Sequence, residues 1–246
     1  MRRWYVLTTA AIVTALIGHA LVFDERIAAQ APTGTARIAV KIVLAGPPPP
    51  PARLPMSADP YCLQAHQGKP VMSQTVEVGA DGALKNVLVS IAGGLAGAYP
   101  APTSPAVFDQ SGCLFSPHVL GVMQGQPVQI VNSDATLHNI HVLPLTNAGF
   151  NIGEPVQGMK QNRVFTKAEP PFHVKCDVHP WMSAYIAVFT HPFFGVSNEQ
   201  GQTELQNLPA GTFQIEAWHE KYGSLKQSVV VSAGETKQVV FTFKAS

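Results

Sequence analysis

The chain has 246 residues and a net charge of +1, and only 13% of its residues are charged. That balance excludes the basic face of a nucleic-acid binder and the polybasic run of a membrane-surface protein. With 46% hydrophobic residues, 21 prolines and 20 glycines, the composition favours an all-β chain of short strands broken by turns, with enough apolar material for a substantial core.

At the N-terminus, Arg2 and Arg3 precede the apolar run "WYVLTTAAIVTALIGHALVF", and small residues follow in "DERIAAQAPTG". Residues 1–31 read as a secretory signal peptide or, if uncleaved, as one N-terminal anchor. No second apolar stretch of spanning length follows. The body is therefore expected in the periplasm or outside the cell, touching a membrane only through that anchor. Export places the three cysteines, Cys62, Cys113 and Cys176, in a compartment that permits disulfides.

"ARIAVKIVLAG" (36–46) alternates as a strand does. A proline-rich excursion carrying Cys62 and His66 comes next. Strands are predicted at Val71–Val78 and Asn86–Gly93, with the turn signal "GADGALK" between them. A loose segment leads into "FDQSGCLFSPHVLGV" and then the strand "GQPVQIVNSD", which ends at Asn132, Ser133 and Asp134. "HNIHVLP" resumes extended structure. A long crossing with glycine and asparagine, a length of loop that is often functional, reaches "RVFTKAEPPFHVKC", and "SAYIAVFTH" closes the region as a strand. Residues 191–246 change style, with short strands at regular spacing that form a small antiparallel sheet or half-sandwich. A full sandwich there needs strands from elsewhere in the chain.

The chemistry concentrates in "HVKCDVHPWM" (173–182). Phe172, Val174 and Cys176 fall on one strand face because side chains alternate with period two. Pro180 ends the pairing, so a turn can bring His179 and Met182 back toward the cysteine sulfur. Thiolate, imidazole and thioether together select copper, and the trigonal set of two histidines and a cysteine with a weak methionine needs one more histidine. His138, in "NSDATLHNIH", is the best supplier, 38 positions before Cys176. Zinc takes four firm ligands and rarely a thioether.

With these residues in view, "GQPVQIVNSDATLHNIHV … FTKAEPPFHVKCDVHPWMSAYIAV" resembles the copper-binding half of the cupredoxins, amicyanins and plastocyanins in particular, over about residues 124–190. The resemblance implies a Greek-key β-sandwich over residues 36–190. It also implies one copper ion held by His138, Cys176, His179 and Met182, with Asn139 bracing the ligand loop. The expected activity is one-electron transfer to an unidentified redox protein, not enzymatic catalysis. His179, beside Pro180 and Trp181 on an exposed loop, is the expected electron port and docking point. The stretch "GQTELQNLPAGTFQIEAWHE" resembles the carboxypeptidase-regulatory-like, transthyretin-like modules of exported proteins, which makes 191–246 an accessory β-module.

Rival readings keep the fold and change the role: a binding module for carbohydrate or protein, or a periplasmic copper carrier. No His-x-His pair or His-Cys-His run of a multicopper oxidase is present. Cys62 and Cys113 are expected to form a disulfide fastening the excursion. A sharper alternative joins Cys62 and His66 with Cys113 and His118 as a second metal site. His141 is expected to pack within its strand and His173 to face solvent. His191 and His219 are expected to be structural residues at a junction between the modules.

Overall fold

The computed structural model describes Met1 and residues 34–245. Apart from Met1, the expected export segment lies outside the described residues. Among those described, no helix is long and apolar enough to cross a membrane.

The described residues are almost wholly β. β1 (Ala36–Ala45) enters the proline-rich excursion, whose one α-helix is α1 (Pro60–Ala65). After it come β2 (Leu88–Gly93), β3 (Ala106–Ser111), β4 (Leu114–Ser116), β5 (Val119–Met123), β6 (Pro127–Asn132), β7 (His138–Leu143), β8 (Phe150–Glu154) and β9 (Lys160–Val164). The chain continues through β10 (Glu169–Lys175), β11 (Ser183–Phe189), β12 (Phe194–Val196), β13 (Gln202–Leu208), β14 (Gly211–His219), β15 (Gly223–Val231) and β16 (Thr236–Lys244).

These strands make two sandwiches. In the first, the sheet β5-β11-β10-β7-β8 faces β4-β3-β6-β9. Its core joins Phe108, Phe115, Ile130, Ile140, Val174 and Ile186. In the second, β13-β1-β16 faces β12-β2-β14-β15 around Ile38, Ile42, Ile91, Phe213, Ile215 and Phe241. Leu88, Val119 and Ala187 join the two, flanked by Phe189, Val196 and Trp218.

β1 shows why the strands sort this way. Ala36, Ile38, Val40, Ile42 and Leu44 are all buried on one face, as period-two alternation requires. β1 runs antiparallel to β13 and parallel to β16, and β2 pairs with β12 and β14. The strands that complete the C-terminal sandwich thus come from the N-terminal part of the chain. A cut between residues 190 and 191 crosses these pairings rather than separating two bodies.

Two expectations about elements are corrected. Val71–Val78 is not a strand; it makes only isolated bridges, Met72 to Arg53 and Val78 to Leu84. Ser73 Oγ takes the Thr75 amide at 3.2 Å and bonds the Thr75 hydroxyl at 3.0 Å, and such local bonds compete with a ladder. Conversely, the long crossing after β7 contains β8 and β9. Each is an edge strand of its sheet, and with one face open to solvent their sequences, FNIGE and KQNRV, carry little apolar alternation.

Candidate metal centre

The centre lies at one end of the first sandwich, where three chain segments converge. β10 runs out at Lys175, and Phe172, Val174 and Cys176 are all buried on its inner face. The chain then turns. The Cys176 amide bonds Met182 O at 3.2 Å and the Met182 amide bonds His179 O at 2.9 Å, closing a loop with Pro180 on its exposed outer side. The His179 amide donates to Cys176 Sγ at 3.3 Å. From β7, Asn139 Oδ1 accepts the amides of Asp177 at 2.6 Å and Val178 at 3.2 Å, and lies 3.3 Å from Cys176 Sγ. The residue beside His138 therefore ties the loop to the strand that carries His138.

His138, Cys176 and His179 bring their donor atoms within 4.8 Å of one another. The two Nδ1 atoms are 2.9 Å apart, and His179 Nδ1 is 3.9 Å from Cys176 Sγ. Met182 is fully buried in the same core as Cys176. The far edges of both rings meet carboxylates: His138 Nε2 lies 2.9 Å from Asp134 Oδ2 and His179 Nε2 lies 3.1 Å from Asp59 Oδ2.

These partners fix the electrostatics. Burial alone would lower the His138 pKa, but its bonds to Asp134 and Cys176 carry it up to about 9. Burial would raise Asp134 and Cys176, yet both end below their ordinary values, chiefly through bonding to His138 and then to backbone amides. A neutral imidazole carries one proton, and a carboxylate only accepts. With both Nε2 protons directed at carboxylates, two neutral rings would aim their Nδ1 lone pairs at each other across 2.9 Å. A cation between them would relieve that repulsion.

The exposed-port expectation for His179 is corrected. Only 2% of the residue is exposed, because the 55–66 segment lies over it and Asp59 occupies its outer edge. Trp181 is half-buried, and its indole N–H donates to Cys113 O at 3.2 Å. Asp177, Val178 and Pro180 are what the loop shows to solvent.

Cys62 and Cys113 form a disulfide, fully buried beside His179, leaving Cys176 as the free thiol. The alternative second metal site is absent: His66 bonds Gly112 O at 2.7 Å, and His118 pairs with Glu220 of the other sandwich. His141 is partly exposed and bonds Asp177 at 2.9 Å. His173 does not face solvent freely; it is half-buried, 2.9 Å from Ser183 Oγ and tilted against the Tyr185 ring. His191 and His219 are buried in or beside the second sandwich. The residues that sequence reasoning missed are Asp134 and Asp59. Asp134 was visible as a carboxylate four positions before His138, whereas nothing in the proline-rich excursion marked Asp59.

No family model matches the chain, and no curated protein matches it. Among solved structures, a copper-containing nitrite reductase from Thermus scotoductus SA-01 is 24% identical over 41% of this chain, with a TM-score of 0.33. The chain covers only 25% of that protein. A purple cupredoxin from Nitrosopumilus maritimus is 22% identical over 34% of this chain and 99% of its own, with a TM-score of 0.30. An amicyanin variant in its Cu(I) form is 23% identical over 41% of this chain and 98% of its own, with a TM-score of 0.31. At this level they are likenesses only, and the centre stands on its own side chains.

Proposed function

We propose that the chain is an exported mononuclear copper protein of the blue, type 1 kind, acting in one-electron transfer. The observation that carries the reading is the pair of buried imidazoles whose Nδ1 atoms face each other at 2.9 Å beside a buried free thiol. His138, Cys176 and His179 would hold the ion, with Met182 as the weak fourth ligand. This nitrogen, thiolate and thioether set suits copper better than the harder metals.

Copper, when bound, supplies the one-electron couple between Cu(II) and Cu(I). The protein supplies a fixed frame. Asn139 and the Cys176–Met182 loop contacts hold the ligand loop in one shape, so little rearrangement accompanies a change of charge. The His179 amide stabilises the thiolate through its hydrogen bond to Sγ. Burial of all four side chains keeps water from the centre. It also favours this reading over a copper carrier, which must hand its ion on. The buried disulfide fits an oxidising compartment outside the cytoplasm.

The test is to express the mature chain, add Cu(II) and record the visible spectrum of wild type and Cys176→Ser. An intense thiolate-to-copper band that disappears in the variant is expected. A colourless copper-loaded wild type would sink the proposal and favour a binding module.

A further inference from the structure

Each imidazole of the centre is backed by a carboxylate that is itself held rigidly. Asp134 accepts from the amides of Gly112 at 2.8 Å and Cys113 at 2.7 Å, and from the Tyr61 hydroxyl at 3.2 Å, besides His138. Asp59 caps α1, accepting the amides of Tyr61 at 2.7 Å and Cys62 at 3.2 Å with one oxygen while the other meets His179. The two half-cystines therefore each direct an amide at one of these carboxylates. The disulfide between them fixes both acids relative to the two rings.

We propose that Asp59 and Asp134 are positioning residues that set the oxidation-state preference of the centre, an inference that rests on the copper reading above. Each carboxylate accepts a hydrogen bond from Nε2–H and so favours the tautomer whose Nδ1 lone pair points at the metal position. Partners of this kind also make a ligating ring more basic. The charge balance points the same way. One thiolate and two carboxylates put three negative charges beside the ion, against two positive charges in Cu(II) and one in Cu(I). The more positive state gains more, so the carboxylates hold the reduction potential down.

Substituting Asn keeps an oxygen acceptor and removes the charge, which separates electrostatics from shape. In the copper-loaded full chain, Asp59→Asn and Asp134→Asn should each keep the blue band. Each should also shift the Cu(I)-to-Cu(II) ratio at a fixed potential toward Cu(I) by roughly tenfold to a hundredfold, the size expected of one charge removed a few ångströms away at intermediate dielectric. Glu199→Gln, on an exposed carboxylate with 77% of its side chain accessible, should leave the ratio unchanged. If Asp134→Asn fails to fold, Asp59→Asn at the more accessible carboxylate carries the comparison. An unshifted ratio with the blue band intact overturns the proposal. A wild type without the band overturns the copper reading instead, and the tautomer then decides. Nitrogen-15 spectra of the metal-free chain should show both rings protonated at Nε2, and a ring protonated at Nδ1 alone overturns the proposal with no metal involved.

Discussion

Pro180 follows His179 in the ligand loop and, as a proline, offers no backbone N–H. The His179 amide already donates to Sγ at 3.3 Å. Pro180→Ala restores a backbone N–H next to the His179 amide; donated to Sγ, it would withdraw electron density from the thiolate and weaken its support of Cu(II). The reduction potential should rise, by no more than the roughly 1.5–3 kcal/mol of one hydrogen bond to a charged group; an unchanged or lowered potential counts against this view. Asn139→Ala removes the acceptor for the Asp177 and Val178 amides and should cost the metal-free protein about 1–3 kcal/mol in urea unfolding. The convergence of His138, Cys176 and His179 was legible in the sequence, the last two from their close spacing at a strand end and His138 from its place at the start of another strand. The carboxylates behind the rings were not. An aspartate in a proline-rich loop reads as a solvated turn residue until the chain is seen to fold back 120 positions onto His179.

The excursion after β1 acts as a cap, and its fastening is the Cys62–Cys113 bridge, which closes a loop with a sequence separation of 51. Loop-closure entropy for that length is worth about 4 kcal/mol. A Cys62→Ala, Cys113→Ala double variant should lose stability of that order. It should also show faster exchange of the His179 ring proton with solvent, because Asp59 is no longer held over it. Equal exchange in both proteins would show that the cap stays in place without the bridge. A second element-level constraint is the turn between β12 and β13. Gly201 has φ +64°, and a Cβ there would lie 2.4 Å from Ile42 O. Gly201→Ala should therefore destabilise by more than 1 kcal/mol, from the strained backbone and the clash together, as a lowered thermal midpoint would record. A strand with one buried face, such as β1, was evident from alternation. β8 and β9 were hidden because edge strands need not bury one.

Across the whole molecule, the two sandwiches share a buried seam and a common pH limit. His219 is 1% exposed, close to Tyr222 and Phe243. Burial holds its pKa down to about 4; Glu220 opposes this, and His118 and Lys221 add to it. The unfolded chain binds a proton at this residue near pH 6.5. Stability from keeping it neutral is therefore whole above about pH 6.5 and is lost as pH falls toward about 4, by up to about 3 kcal/mol. His219→Phe should flatten that part of the stability curve, and a variant with the same slope would place the effect elsewhere. The interleaving of strands sets a second limit. Removing residues 191–246 takes away both ladder partners of β1, so the shortened chain should expose β1 and β2 to rapid proteolysis, whereas resistance equal to that of the full chain would show that they find other partners. That interleaving was beyond the sequence, because alternation identifies a strand's buried face but not which sheet it joins.

The central claim is that two imidazole nitrogens and one thiolate, brought together from β7 and the loop after β10, bind copper. X-ray absorption at the copper edge of the loaded protein measures those neighbours directly. One short copper–sulfur shell with two nitrogen neighbours is expected, with loss of the sulfur shell in Cys176→Ser. A first shell of nitrogen and oxygen alone in the wild type would contradict it.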